Sequence, residues 1–162
     1  MKIMIFGDVS TGKSTFAKQL GKKLSLPVIH LDEIMKQIGR DNRTDIGNKI
    51  KTLVDRKNWI MDGNAFTKDK EYRIRKADKI IVFEASPWVT FAKHLKRWAI
   101  IKFGSIEAIG GHDVSLNLKY YIPYIFFKFP KRKNEAIKLA KSLGKQITII
   151  KSREQANNYL SN

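Results

Sequence analysis

Eight residues near the amino terminus constrain this chain more than all the others. Gly7-Asp8-Val9-Ser10-Thr11-Gly12-Lys13-Ser14 fits the pattern GxxxxGK[ST] in full. The pattern dictates structure because of what its parts do. Glycines at 7 and 12 let the main chain curl until successive N–H groups face one anion. The loop must rise from a strand and open onto a helix, whose N-terminal partial charge adds to the same field. Both flanks are present: KIMIF (Lys2–Phe6) is a short apolar run, and Lys13–Leu24 sets Phe16, Leu20 and Leu24 at helical spacing. The reading predicts that Gly7, Asp8, Val9, Ser10, Thr11, Gly12, Lys13, Ser14 and Thr15 cradle the phosphates of ATP. Lys13 then reaches the β- and γ-phosphates and takes part in catalysis, while the Ser14 hydroxyl ligates Mg²⁺.

The rest of the chain repeats the strand–helix alternation. Pro27–Leu31, Asn58–Met61, Lys79–Glu84 and Gln146–Ile150 are further short apolar runs. Continuous apolar runs of this length suit a parallel sheet covered on both faces. Pro87–Phe103 and Tyr120–Leu143 are helical candidates; Pro87 fits a first turn, and Gly144 fits the stop of the last long helix. Strands alternating with helices predict a doubly wound α/β sheet. No linker or repeat divides the 162 residues, so one domain over 1–162 is expected. Lys102–Leu118, with glycines at 104, 110 and 111 and no period, reads as a lid-like segment.

Composition excludes several classes. There are no cysteines, hence no disulfide scaffold, thiolate metal site or cysteine nucleophile. No apolar stretch approaches the roughly 20 residues of a membrane helix, and the start of the chain does not read as a signal peptide, so a soluble, cytoplasmic protein without membrane attachment is expected. The formal charge is +17, and residues 91–145 hold twelve Lys/Arg against three Asp/Glu. Such a field attracts any polyanion, and the expectation for nucleic acid is weak, salt-sensitive binding.

A phosphate cradle does not define a reaction; the carboxylates at the strand ends must. In an open α/β sheet, ligands lie beyond the carboxyl ends of the strands. Asp32 follows one apolar run and Asp62 another. Asp62 is the candidate for Mg²⁺ or its waters, and Asp32 for holding or deprotonating an acceptor hydroxyl; each has helix N-capping as its alternative. Phosphoryl transfer also needs cations on the developing charge, and Arg73, Arg75, Lys93, Lys96 and Arg97 are available, with Arg97 placed to reach over the nucleotide from the helix before the lid. His30, His94 and His112 lack metal-ligand spacing, and His30 reads as a hydrogen-bonded core residue. The tryptophans and the aromatic run from Tyr120 to Phe129 read as core or as the wall of an acceptor pocket.

Taken together, GDVSTGKST, HLDEI, WIMDGNAF, the run from Arg73 to Ala77-Asp78 and KIIVFEASP resemble the small P-loop kinases of the adenylate kinase-like group, and within it the bacterial "DNA topology modulation protein" type. The resemblance covers nearly the whole chain. It implies a three-layer fold with a five-stranded parallel sheet flanked by helices and a short lid, ATP and Mg²⁺ at Gly7–Thr15, acceptor contacts near Asp32 and Asp62–Asn64, and a loop around Lys151–Arg153 beside the adenine. The chain departs from the type in two places. Its lid, GSIEAIGGHD, contains no arginine, and the nucleotide-clamp signature DGFPR stands here as DGNAF, which does not support AMP as acceptor. Transfer of the γ-phosphoryl group of MgATP to a nucleoside, nucleotide or other small metabolite is the leading expectation. Its alternatives are a nucleic-acid-associated nucleotide binder and an ATP binder with little catalysis.

Overall fold

Along strand β1 (Lys2–Gly7) the side chains alternate between two interiors: Ile3 and Ile5 enter one, Met4 and Phe6 the other, and all four are buried. Period-two alternation with apolar residues on both sides is what a strand covered on both faces requires. The computed structural model of the chain describes residues 1–64, 69–103 and 117–162. Within them β1 is the centre of a five-stranded sheet of order β2-β3-β1-β4-β5, with β2 at Val28–His30, β3 at Trp59–Asp62, β4 at Lys79–Phe83 and β5 at Gln146–Ile150. Every pairing is parallel.

Helices α1 (Lys13–Leu24) and α8 (Arg153–Ser161) cover the face that holds Ile3, Ile5, Ile60, Ile81 and Phe83, with Phe16, Ala17, Leu20 and Ala156 packed on it. The opposite face holds Met4, Phe6, Trp59, Met61, Ile80 and Val82. It is covered by α2 (Leu31–Ile38), α3 (Arg43–Val54), α4 (Lys70–Lys76) and α7 (Phe129–Ser142). The expected three-layer α/β architecture is the one observed.

Some boundaries differ from the expectation for local reasons. Leu31, read as the end of a strand, opens α2 instead. Helix α3 was not singled out, although Ile46, Ile50, Leu53 and Val54 are buried at spacings of four, seven and eight; Asn42 caps it, its side chain accepting from the Asp45 N–H at 3.4 Å. Helix α5 (Pro87–Phe103) matches its expected span. The single helix expected over Tyr120–Leu143 is instead α6 (Leu118–Pro123), a π-helical turn (Tyr124–Lys128) and α7. Two prolines explain the break: Pro123 and Pro130 each lack the N–H that a carbonyl four residues earlier would need. Between them the chain widens by one residue, and the Phe129 N–H bonds to the Tyr124 carbonyl. Gly144 stops α7 as expected, at φ +65°, with its N–H on the Lys141 carbonyl at 3.0 Å.

The aromatics divide. Trp59 and Phe129 are core, but Trp88 (73% exposed) and Phe127 (72%) stand in solvent rather than in a core. They project from α5 and from the π turn, elements that meet through the Trp88–Phe126 and Phe91–Phe126 ring pairs at 4.8 and 6.2 Å.

Candidate functional site

The site begins where β1 ends. Gly7 sits at φ +144°, and a Cβ there would be driven into the carbonyl of Phe83 on β4, so the chain turns at this point only because residue 7 has no side chain. The next amide, Asp8 N–H, bonds to that same carbonyl at 2.8 Å. On the other side Asn64, two residues beyond β3, reads both main-chain groups of Gly7: its Oδ1 accepts from the Gly7 N–H at 2.9 Å, and its Nδ2 donates to the Gly7 carbonyl at 2.7 Å. Both neighbouring strands therefore grip the first glycine of the loop.

From there the loop curls through Ser10 at φ +57° and Gly12 at φ +88° into α1. The N-cap, Gly12, has no side chain with which to bond the helix start, and no acidic residue lies in the first turn, so the helix's own residues there do not oppose an anion. Gly12 has open space where a Cβ would project. Lys13 is buried, and its Nζ donates to the Asp8 carbonyl at 2.7 Å; the Thr11 hydroxyl donates to the same oxygen at 2.7 Å. Ser14 and Thr15 lie exposed on the first turn of α1.

Asp62 closes β3 opposite Ile5 of β1 and His30 of β2. It is buried; its Oδ2 lies 3.0 Å from His30 Nδ1, and its Oδ1 has no hydrogen-bond partner among the described residues. The hydrogen bond to Asp62 raises the His30 pKa above its ordinary value, against the opposing effect of burial. His30 is hydrogen-bonded as expected, but at the strand-end rim rather than deep in the core. Neither Asp62 nor Asp32 caps a helix: Asp62 ends a strand, and Asp32 is the second residue of α2, whose N-cap is His30.

The acceptor side is less defined. Half-buried Tyr124 has its pKa pushed up to about 12, chiefly by desolvation and then by Tyr120, and both Asp32 and Arg132 contribute to its field. Asp32 and Arg132 thus lie within electrostatic range of Tyr124, and Arg132 is not among the candidates read from the sequence. Arg73 and Arg75 are committed elsewhere: Arg73 is wholly buried against Asp69 at 2.9 Å, and Arg75 pairs with Glu71 on the surface at 2.6 Å. Arg97 lies on α5, with its side chain outside the described residues, as is most of the lid-like segment 102–118, including His112.

Among the described residues no three His, Asp or Glu cluster as a metal cage. A divalent ion arriving with phosphates and keeping most of its waters needs few protein oxygens. The Asp62 Oδ1, without a hydrogen-bond partner among the described residues, and the Ser14 hydroxyl are the oxygens that could serve such an ion.

Two features had no local signal. Asn64 braces a glycine 57 residues away. Lys133 on α7 reaches Asp8 across 125 residues, with Nζ 2.7 Å from Oδ2. Beside that pair a groove of about 460 Å³ opens between Ser86-Pro87, Pro130, Asn134 and Lys151.

No protein-family model matches the chain. The adenylate kinase of Clavibacter michiganensis subsp. michiganensis is 31% identical over 61 residues, which is 38% of this chain and 30% of that protein, so the match spans less than a third of the relative's length. Similar solved structures cover almost the whole chain. Shikimate kinase from Bacteroides thetaiotaomicron has a TM-score of 0.58 at 16% identity, covering 98% of this chain and 93% of its own. Shikimate kinase from Aquifex aeolicus has 0.59 at 15%, covering 99% and 92%. Deoxyadenosine kinase from M. mycoides with bound dCTP has 0.55 at 14%, covering 99% and 97%. With its all-parallel sheet and the loop at the end of β1, the chain has the α/β fold of the P-loop kinases.

Proposed function

We propose that this chain is a phosphotransferase that passes the γ-phosphoryl group of MgATP to a small acceptor. One observation carries the reading: a glycine turn gripped by both neighbouring strands opens onto an uncapped helix start, with Lys13 alongside. The main-chain N–H groups would bind the phosphates, and Lys13 would exchange its bond to the Asp8 carbonyl for phosphate oxygens. Ser14 and Asp62 would hold Mg²⁺, which supplies positive charge to the β- and γ-oxygens. Asp32 would take the proton of the acceptor hydroxyl; that oxygen bonds to the γ-phosphorus as the bond to ADP breaks. Arg97 or a neighbouring lysine would stabilise the equatorial oxygens.

Kinases of small molecules, among them adenylate, shikimate and deoxyadenosine kinases, support this class of reaction. Resemblance to the topology modulation type supports the same placement of groups without naming an acceptor. A cytoplasmic setting, where ATP is abundant, follows from the reading; among the described residues no helix is long and apolar enough to cross a membrane.

Calorimetric titration with MgATP tests the proposal. Wild type is expected to bind, and Lys13→Ala to bind at least about tenfold more weakly, as for a lost charge-assisted contact; equal affinities would remove the loop from the site. A screen of nucleosides, nucleotides and sugar-like hydroxyls for ATP-dependent phosphorylation then separates a kinase from an ATP binder with little turnover.

A second reading, association with nucleic acid, has one observation in its favour. Exposed Trp88, Phe103 and Phe127 stand among the lysines of α5 and the π turn, a surface on which bases can stack. DNA binding that vanishes between low and physiological salt would reduce it to generic charge.

A further inference from the structure

The second residue of the phosphate loop is an acid, and it is buried. Asp8 is 5% exposed, and its carboxylate stands in a loop whose proposed ligand is a polyanion. An unpaired carboxylate there would repel the triphosphate in a region of low effective dielectric. The structure shows how that charge is met. Asp8 Oδ2 accepts from the Ala85 N–H at 2.9 Å and from Lys133 Nζ at 2.7 Å. Lys133 is buried too, and its Nζ lies 3.4 Å from Glu84 Oε1 just beyond β4. The same Asp8 residue, through its carbonyl, receives Lys13 and Thr11. One residue thus links a cation from the far end of the chain to the loop lysine.

We infer that Lys133 is a positioning residue for nucleotide binding: it neutralises Asp8 so that the loop accepts a triphosphate, and it fixes the Asp8 peptide on which Lys13 rests. The inference deepens the nucleotide-binding reading and rests on it. It assigns α7 a part in the phosphate site, although no residue of α7 belongs to the loop. Lys133 itself touches Asp8 and Glu84, so it acts through the loop.

The test is a charge cycle read by MgATP titration and thermal unfolding on the full chain. Lys133→Met leaves Asp8 unpaired and is expected to weaken MgATP by about tenfold or more, with a smaller loss for MgADP, because the repulsion grows with phosphate charge. Asp8→Asn/Lys133→Met removes both charges and is expected to recover most of the lost affinity. A helix role unrelated to charge predicts the opposite: the double variant stays as weak as Lys133→Met, and ATP and ADP lose equally. Removing one partner of a buried pair can unfold a small domain, so Asp8→Asn alone is the second probe. It keeps an oxygen for the Ala85 N–H, removes one negative charge from the loop, and is expected to bind MgATP more tightly than wild type; weaker binding would overturn the inference. Wild type that binds no nucleoside triphosphate sinks the underlying reading and this inference with it, whereas wild-type binding matched by Lys133→Met sinks the inference alone.

Discussion

The two halves of the site are built on different principles. On the phosphate side the main chain does the positioning: Gly7 is fixed by Phe83 from β4 and by Asn64 beyond β3, and α1 starts without a capping side chain. On the side where we propose the acceptor binds, the candidate groups are side chains on helices, with Asp32 on α2, Tyr124 on the π turn and Arg132 on α7. A polyphosphate presents the same oxygens whatever base it carries, so a rigid backbone cradle suits it. An acceptor must be told from its neighbours, and side chains on separate helices supply that. The contrast explains why the loop can be assigned a ligand class while the helices do not name an acceptor.

Substitutions on the two sides should therefore differ in what they break. The largest effect is expected from Gly7→Ala, which combines a strained φ with overlap onto the Phe83 carbonyl. It should cost roughly 3–5 kcal/mol and lower the unfolding midpoint by about 10 °C in calorimetry, with MgATP binding lost as well. Asn64→Ala comes next. It removes both bonds to Gly7 and leaves the glycine's N–H and carbonyl unsatisfied, so about 2 kcal/mol and weaker MgATP binding are expected from chemical denaturation and titration. If Asn64→Ala weakens binding without changing stability, the grip on Gly7 is a functional device rather than part of the fold.

A smaller effect separates the rim from the loop. His30 has a raised pKa in the folded chain because of Asp62, so the protonated ring favours the folded state. That contribution is present in full below the unfolded value of about 6.5 and fades as pH rises through the higher folded value. Measured without magnesium, the stability gap between wild type and His30→Gln should be wider at pH 5.5 than at pH 8.5. The change should stay under about 1 kcal/mol, since burial of His30 opposes the gain from Asp62. A gap that widens toward alkaline pH would reverse the assignment. The smallest effect belongs to Phe127→Ser on the exposed helical surface, where a change within about 0.5 kcal/mol is expected in the same unfolding assay. A large loss there would mean that the π turn is held by packing on its outer side.

What could be read from the sequence follows the range over which each signal acts. The loop, its strand and its helix lie within one unbroken run, and the five apolar runs are each a few residues long, so the fold and the place of the glycine loop between β1 and α1 were legible. Helix α3 was legible in principle from Ile46, Ile50, Leu53 and Val54, but its polar composition hid it. The π turn depended on two prolines acting together across seven residues. Asn64 bracing Gly7, Lys133 meeting Asp8 and His30 meeting Asp62 depend on which strands and helices become neighbours, and no spacing encodes that. Arg73 looked like a ligand for phosphate and is buried against Asp69, because an arginine in a helix reads the same whether it faces solvent or the core.

The sheet order has one more consequence. Because β1 lies between β3 and β4, the start of the turn that follows it is held from both sides, at Gly7 by Asn64 and at Asp8 by Phe83. In the proposed transfer, closure around nucleotide and acceptor would come from the helical rim travelling toward this fixed anvil. Altered acceptor preference is then a matter of recutting the rim, and the anvil can stay as it is.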